Sequence, residues 1–222
     1  MILKVFFSAF RDFFDKRVFF ISLVPLIISA IFWSIVFYIF HNDIDVLISE
    51  YVENEDIRGF FLFVLESIVF YELLIITSVI IVGIVADKIV KTINQKYYKL
   101  NFNGFGKISD SIFISIKANI KFVLIFIFLF LPSLVIFPFI SLVIHILMWM
   151  VVIKDAMFYD SLSSIANENE YNIIKNSNRL EIFFITLLSA SLFFIPVFGV
   201  FVYIWQLLIF IHYNLNKLKE LR

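Results

Sequence analysis

Residues 182–213 read IFFITLLSASLFFIPVFGVFVYIWQLLIFIHY, a run of 32 without a charged side chain and with Pro196 and Gly199 near its middle. As one straight helix the run would be about 48 Å long, too long for a single crossing of a ~30 Å hydrocarbon core without severe tilt. Two full crossings need roughly 40 residues. The run falls between these cases, and its helix breakers sit where a turn would be placed. The arms on either side, 182–195 and 200–213, have 14 residues each, or about 21 Å. Apolar runs of that length are expected in re-entrant segments. The stretch therefore reads as a hairpin that dips into the bilayer and returns to the side it entered. Backbone at such a tip must be sheltered by protein or water.

A second run of the same length, 122–153, carries Pro132 and Pro138 and reads the same way. The two look like a structural repeat. The competing topology makes each run one long, kinked crossing and places residues 154–181 on the far side. Upstream, 18–40 and 60–86 are long enough for ordinary spans. Pro25 near the start of the first would kink it. Residues 1–17 read as an amphipathic helix, with Phe6, Phe10, Phe13 and Phe14 at helical spacing and charged residues between them.

Charge orients these parts. Residues 41–59 read as a polar loop holding Asp43, Asp45, Glu50, Glu53, Glu55 and Asp56 against one basic residue, Arg58. Residues 87–121 form a helical region with seven lysines against Asp87 and Asp110. The positive-inside rule puts the lysine-rich region and both termini in the cytoplasm and the acidic loop on the translocated side. Both hairpins then return to the cytoplasm, and no basic segment has to cross. The expected architecture is an all-α integral membrane protein forming one membrane domain over 1–222. It has two transmembrane helices, two re-entrant (hemi-penetrating) helical hairpins and an amphipathic N-terminal helix.

Composition supports the membrane and excludes other classes. The chain is 62% hydrophobic and only 16% charged, beyond what a soluble domain of this size buries. Formal net charge is zero, against a nucleic-acid binder. Cysteine is absent, so there is no disulfide framework, thiolate nucleophile or cysteine metal site. No phosphate-binding glycine loop argues for ATP hydrolysis, and no His-Glu-x-x-His pattern argues for a membrane metalloprotease. Residues 1–18 lack the pattern of a cleaved signal peptide, and the first apolar run is expected to serve as a retained anchor.

Three local patterns have a familiar order. They are Phe20-Ile21-Ser22-Leu23-Val24-Pro25-Leu26-Ile27 entering the first span, Gly83-Ile84-Val85-Ala86-Asp87-Lys88 after the second, and Phe194-Ile195-Pro196-Val197-Phe198 at the last turn. With the order of the elements, they resemble the CysZ-type sulfate permeases of the etoposide-induced-protein superfamily, over nearly the whole chain. The resemblance implies sulfate transport at the bacterial inner membrane, feeding cysteine biosynthesis. The family carries a Pro-Gly-Leu/Ile-Arg motif before the first span, whose Arg is implicated in sulfate binding. Here the matching stretch is Lys16-Arg17-Val18-Phe19, with Phe19 at the Arg position and the cations shifted upstream.

Four residues are candidates for substrate binding. Glu66 and Glu72 sit inside an apolar span, where a carboxylate costs roughly 3 kcal/mol and usually faces a bundle interior or wet cavity. Six residues of separation put them about 120° apart on a helix, so they do not form a close pair by themselves. Lys16 and Arg17 supply cations at the cytoplasmic entrance, against the plainer reading of a positive-inside anchor. His145 and His212 read as structural, and Pro132, Pro138, Pro196 and Gly199 as turns. No catalytic set, metal site or cofactor is expected. The expected partners are lipid, a small inorganic ion and further copies of the chain. The expected function is transport of that ion, with sulfate the leading candidate, and without ATP hydrolysis. The alternative is a non-transporting membrane scaffold or assembly factor.

Overall fold

The computed structural model describes residues 2–194 and 199–222, and every regular element among them is helical. Pro196 lies outside the described residues. In chain order the helices are α1 (Ile2–Phe13), α2 (Lys16–Ser49), α3 (Glu55–Ile93), α4 (Ile108–Ile125), α5 (Leu131–Ile136), α6 (Pro138–Leu162), α7 (Glu168–Ser177), α8 (Arg179–Ser191) and α9 (Gly199–Leu221). Among the described residues, four stretches are long and apolar enough to cross a bilayer: Lys16–Ser49, Glu55–Tyr98, Ile108–Phe130 and Phe139–Leu162. α2 presents Phe20, Ile27, Ile31, Phe32, Ile35 and Ile39 outward, a surface that needs lipid rather than water against it.

Local chemistry sets the boundaries. Asp15 caps α2, its carboxylate accepting from the Arg17 N–H at 3.0 Å. Asn54 caps α3 in the same way through the Ile57 N–H, and Glu55 and Asp56 in the first turn suit the positive helix end. α7 opens on a capping box of Asn167 and Glu170. A π-helical turn, Asn94–Tyr98, carries α3 on to Lys99, whose φ of 54° stops it. The Asn94 side chain closes that turn, donating to the Leu100 carbonyl and accepting from the Leu100 N–H.

The acidic loop is shorter than its composition suggests. α2 runs to Ser49 and α3 starts at Glu55, leaving only 50–54 between them. The polar residues of 41–49 stay helical because they meet partners on α3. His41 contacts Glu66 at 2.9 Å, and Asp45 pairs with Arg58 at 3.2 Å.

The 122–153 run folds back on itself. α4 and α6 lie antiparallel, as shown by contacts of Ser111 with Asp160, Phe122 with Trp149 and Phe130 with His145. The reversal falls at Phe137, between α5 and α6, with Pro132 in the first turn of α5 and Pro138 opening α6. This arrangement is not one long kinked crossing. The arms exceed the apolar run, because α4 begins at Ile108 and α6 ends at Leu162. α8 and α9 also lie antiparallel. Tyr213 donates to Glu181 at 2.9 Å, and Gln206 donates to the Ser189 carbonyl at 2.8 Å. Both pack on α6, and α1 packs on α9. α9 is buried almost all round from Val202 to Leu218 and forms the centre of the molecule.

One end of the molecule gathers the basic and irregular parts. The 99–107 loop bonds to the 163–166 loop through Asn103 N–H to Ile165 O and Gly106 N–H to Ser163 O, both at 3.0 Å. A Cβ at Gly104 would collide with the Ser164 backbone, which is why this approach uses glycine. Arg222 ties the tail to the same place, bonding Glu170 at 2.9 Å and the Asn101 carbonyl at 2.9 Å. Its guanidinium holds the Glu170 carboxyl below the usual range. This basal end lies opposite the 50–54 turn, since α3 spans the distance between them.

Candidate transport site

Lys16 and Arg17 leave the α1–α2 corner at the basal end, both exposed. With Asp15, Thr92, Gln95 and Lys96 they line an open basin of about 540 Å³. Three cations face one carboxylate there, which already takes the Arg17 N–H at the start of α2. The excess of cations favours an oxyanion. Lys96 is held by Asp12 at 3.2 Å and Asp15 at 2.9 Å. Its hydrogen bond keeps the Asp15 carboxyl below the usual carboxylate range.

Behind the basin, Asp12 is almost fully buried and joins three elements. It accepts from Tyr97 OH at 2.7 Å, Lys96 Nζ at 3.2 Å and His212 Nε2 at 2.9 Å. Tyr98 OH lies 2.9 Å from His212 Nδ1, so a ring protonated on Nε2 satisfies both neighbours. This cluster fixes α1 to α9 and to the π-turn, and so holds the floor of the basin.

Glu66 and Glu72 are brought neither to each other nor to the basin. Glu66 meets His41 of α2. Glu72 is buried against α6, its Oε1 3.7 Å from His145 Nε2. The Trp149 indole N–H donates to that same nitrogen at 2.9 Å, which leaves it no proton to offer the carboxylate. Glu72 stands 20 residues before Thr92 on one helix, about 30 Å away.

Glu72 instead tops a polar seam between α3, α4 and α6. α4 aims Ser111, Ser115 and Asn119 along one face, at every fourth residue, and all three are buried. At the basal end Ser111 donates to Asp160 of α6, and Gly83 of α3 makes room, since a Cβ there would collide with the Ser111 hydroxyl. Along the seam, Asp160 Oδ2, Ser115 Oγ, both polar atoms of Asn119 and Glu72 Oε2 are buried without a protein partner among the described residues. Each such atom costs about 1–3 kcal/mol if left dry.

A family model described as "Sulfate transporter CysZ/Etoposide-induced protein 2.4" matches residues 5–203. The chain belongs to the CysZ/etoposide-induced-protein family. No curated protein and no solved structure matches it. The CysZ match covers the basin and the whole seam, and stops short of His212 and Asn214.

The sequence alone points to Lys16, Arg17, Glu66 and Glu72, and not to Thr92, Gln95, Lys96, Asp12, Asp160 and Asn119. Lys96 and Asp12 were visible as charges, but their pairing joins residues 84 positions apart. For Ser115 and Asn119 the spacing of four was the available signal.

Proposed function

We propose that this CysZ-family protein carries a small inorganic oxyanion, with sulfate the leading candidate, across the bacterial inner membrane without hydrolysing ATP. The observation that carries the reading is the basin, where Lys16, Arg17 and Lys96 converge with Thr92 and Gln95 in a chain whose family is described by sulfate transport. The basal end, with the lysine-rich loop and both termini, is the cytoplasmic one by its charge.

A first hairpin that enters and leaves on that side fits the depth of its tip. Measured from the Glu72–His145 contact, Phe137 lies about 12 Å farther along α6 and Glu55 about 26 Å back along α3. The first tip thus stops well short of the acidic turn. The described part of the second hairpin's first arm comes level with Trp149, on which Phe193 stacks at 4.1 Å. Acids line the seam inside one chain, so the anion's route runs between chains. The exposed Ile136, Phe137, Phe139 and Ile140 at the first tip give copies an apolar surface to share.

Labelled sulfate uptake into proteoliposomes tests the reading. Uptake above empty vesicles is expected, and K16A/R17A should lower it about tenfold at limiting sulfate, the effect of roughly 1.4 kcal/mol of binding. No uptake at any pH would favour the scaffold reading instead.

A further inference from the structure

A second group of cations gathers on the outer side of the first hairpin and shares no residue with the basin. On α4, Lys117, Lys121 and Leu124 follow one another at spacings of four and three, and so share a face. The antiparallel pairs Ser111–Asp160 and Phe122–Trp149 set Lys117 level with Lys154 of α6. α7 adds Lys175, and Arg179 opens α8. These five cations line three depressions of about 400, 260 and 270 Å³, and all three depressions reach Asp155. Among the described residues Asp155 is the one carboxylate lining them, and Lys175 already takes it at 3.3 Å. Lys117, Lys121 and Lys154 are exposed and form no ion pair among the described residues.

The largest of the three depressions is apolar on one side. Leu124, Ile125 and Val151 line it together with Lys121 and Lys154. Farther along the same helices Phe128 and Leu147 are exposed. Residues 122–153 hold no Asp, Glu, Lys or Arg, so Lys121 and Lys154 stand where headgroups give way to hydrocarbon. From Lys154 to Pro138, α6 rises about 24 Å, more than the ~15 Å of hydrocarbon in one leaflet. We infer that this surface binds an anionic phospholipid, with Lys117, Lys121 and Lys154 around its phosphate and its acyl chains along Leu124, Val151 and Leu147. A free oxyanion would use the cations and leave the apolar side uncovered. A zwitterionic lipid would cover the apolar side but bring a cation of its own towards the lysines. An anionic lipid answers both halves, as basic pockets between helices on the cytoplasmic side do. The bound phosphate offsets the repulsion among the three lysines and ties α4 to α6 at the membrane surface, which fixes the depth of the first hairpin. The inference stands apart from the oxyanion reading, since it uses no basin residue and no transport step.

The test is binding of radiolabelled phosphatidylglycerol to the immobilised full chain in detergent micelles, at constant ionic strength. Unlabelled phosphatidylglycerol should displace the label, and phosphatidylcholine should need about tenfold more to do so. Inorganic phosphate should leave the label in place. K117A/K121A/K154A should weaken binding about tenfold, or roughly 1.4 kcal/mol. K88A/K91A/K99A removes the same charge from exposed lysines that line none of the three depressions, and should weaken binding less than about twofold. All six side chains are exposed, and elution volume shows that each variant is folded. Equal displacement by the two lipids overturns the inference on the wild-type chain alone. Equal losses in the two triple variants also overturn it, because the attraction would then be one of net charge. Displacement by inorganic phosphate overturns it as well, because the lysines would then hold a free oxyanion.

Discussion

The two hairpins share a length in sequence and differ in what their polar residues do. In the second, Gln206 donates to Ser189 O, His212 pairs with Asp12, Tyr213 with Glu181, and Asn214 donates to Ser161. Each of these residues clamps two elements through at least one atom, although Gln206 Oε1 and Asn214 Oδ1 are buried without a protein partner among the described residues. In the first, Ser115 and Asn119 are equally buried and meet no protein partner among the described residues. The lesson is that burial of a polar side chain does not assign its role. A partnered group in an apolar interior holds structure, whereas an unpartnered one implies water and leaves room for function.

Substitutions separate the two kinds. The largest effect is expected at Asp12, where D12A strips the acceptor from His212, Tyr97 and Lys96. Breaking such a buried set should cost about 3–5 kcal/mol, read as a large drop in thermal midpoint in detergent. A loss below about 1 kcal/mol, no more than an exposed pair gives, would mean that α1 is only loosely attached. Next is N214L, which removes a donor from Ser161 and should cost about 1–3 kcal/mol. The smallest is N119L, where an apolar side chain of similar size displaces water rather than a protein partner, so the midpoint should barely move. If N119L destabilises as much as N214L, the contrast between the hairpins fails.

Much of the fold was legible because its signals are local. Apolar length marked the spans, Pro132 and Pro138 bracketed the reversal near Phe137, and lysines marked one end. The helical ends at 41–49 were hidden because Asp43 and Asp45 look like loop residues until His41 and Asp45 are seen against Glu66 and Arg58. α2 and α9 are similarly apolar in sequence, yet α2 faces outward and α9 is central. Apolarity alone does not distinguish lipid from protein as a solvent. The candidate site was legible only as isolated charges. Lys16, Arg17 and Glu72 stood out as charges beside or within apolar runs, while their neighbours arrive from helices distant in sequence.

The account rests on both hairpins returning to the side they left, and the absence of cysteine makes this measurable with single thiols. Asn169, exposed on α7 between the hairpins, and Glu53, in the short acidic turn, are suited to replacement. In intact cells a membrane-impermeant maleimide should label E53C and spare N169C until the membrane is opened. Labelling of N169C in intact cells, from the same side as E53C, would contradict the topology and with it the cytoplasmic position of the basin.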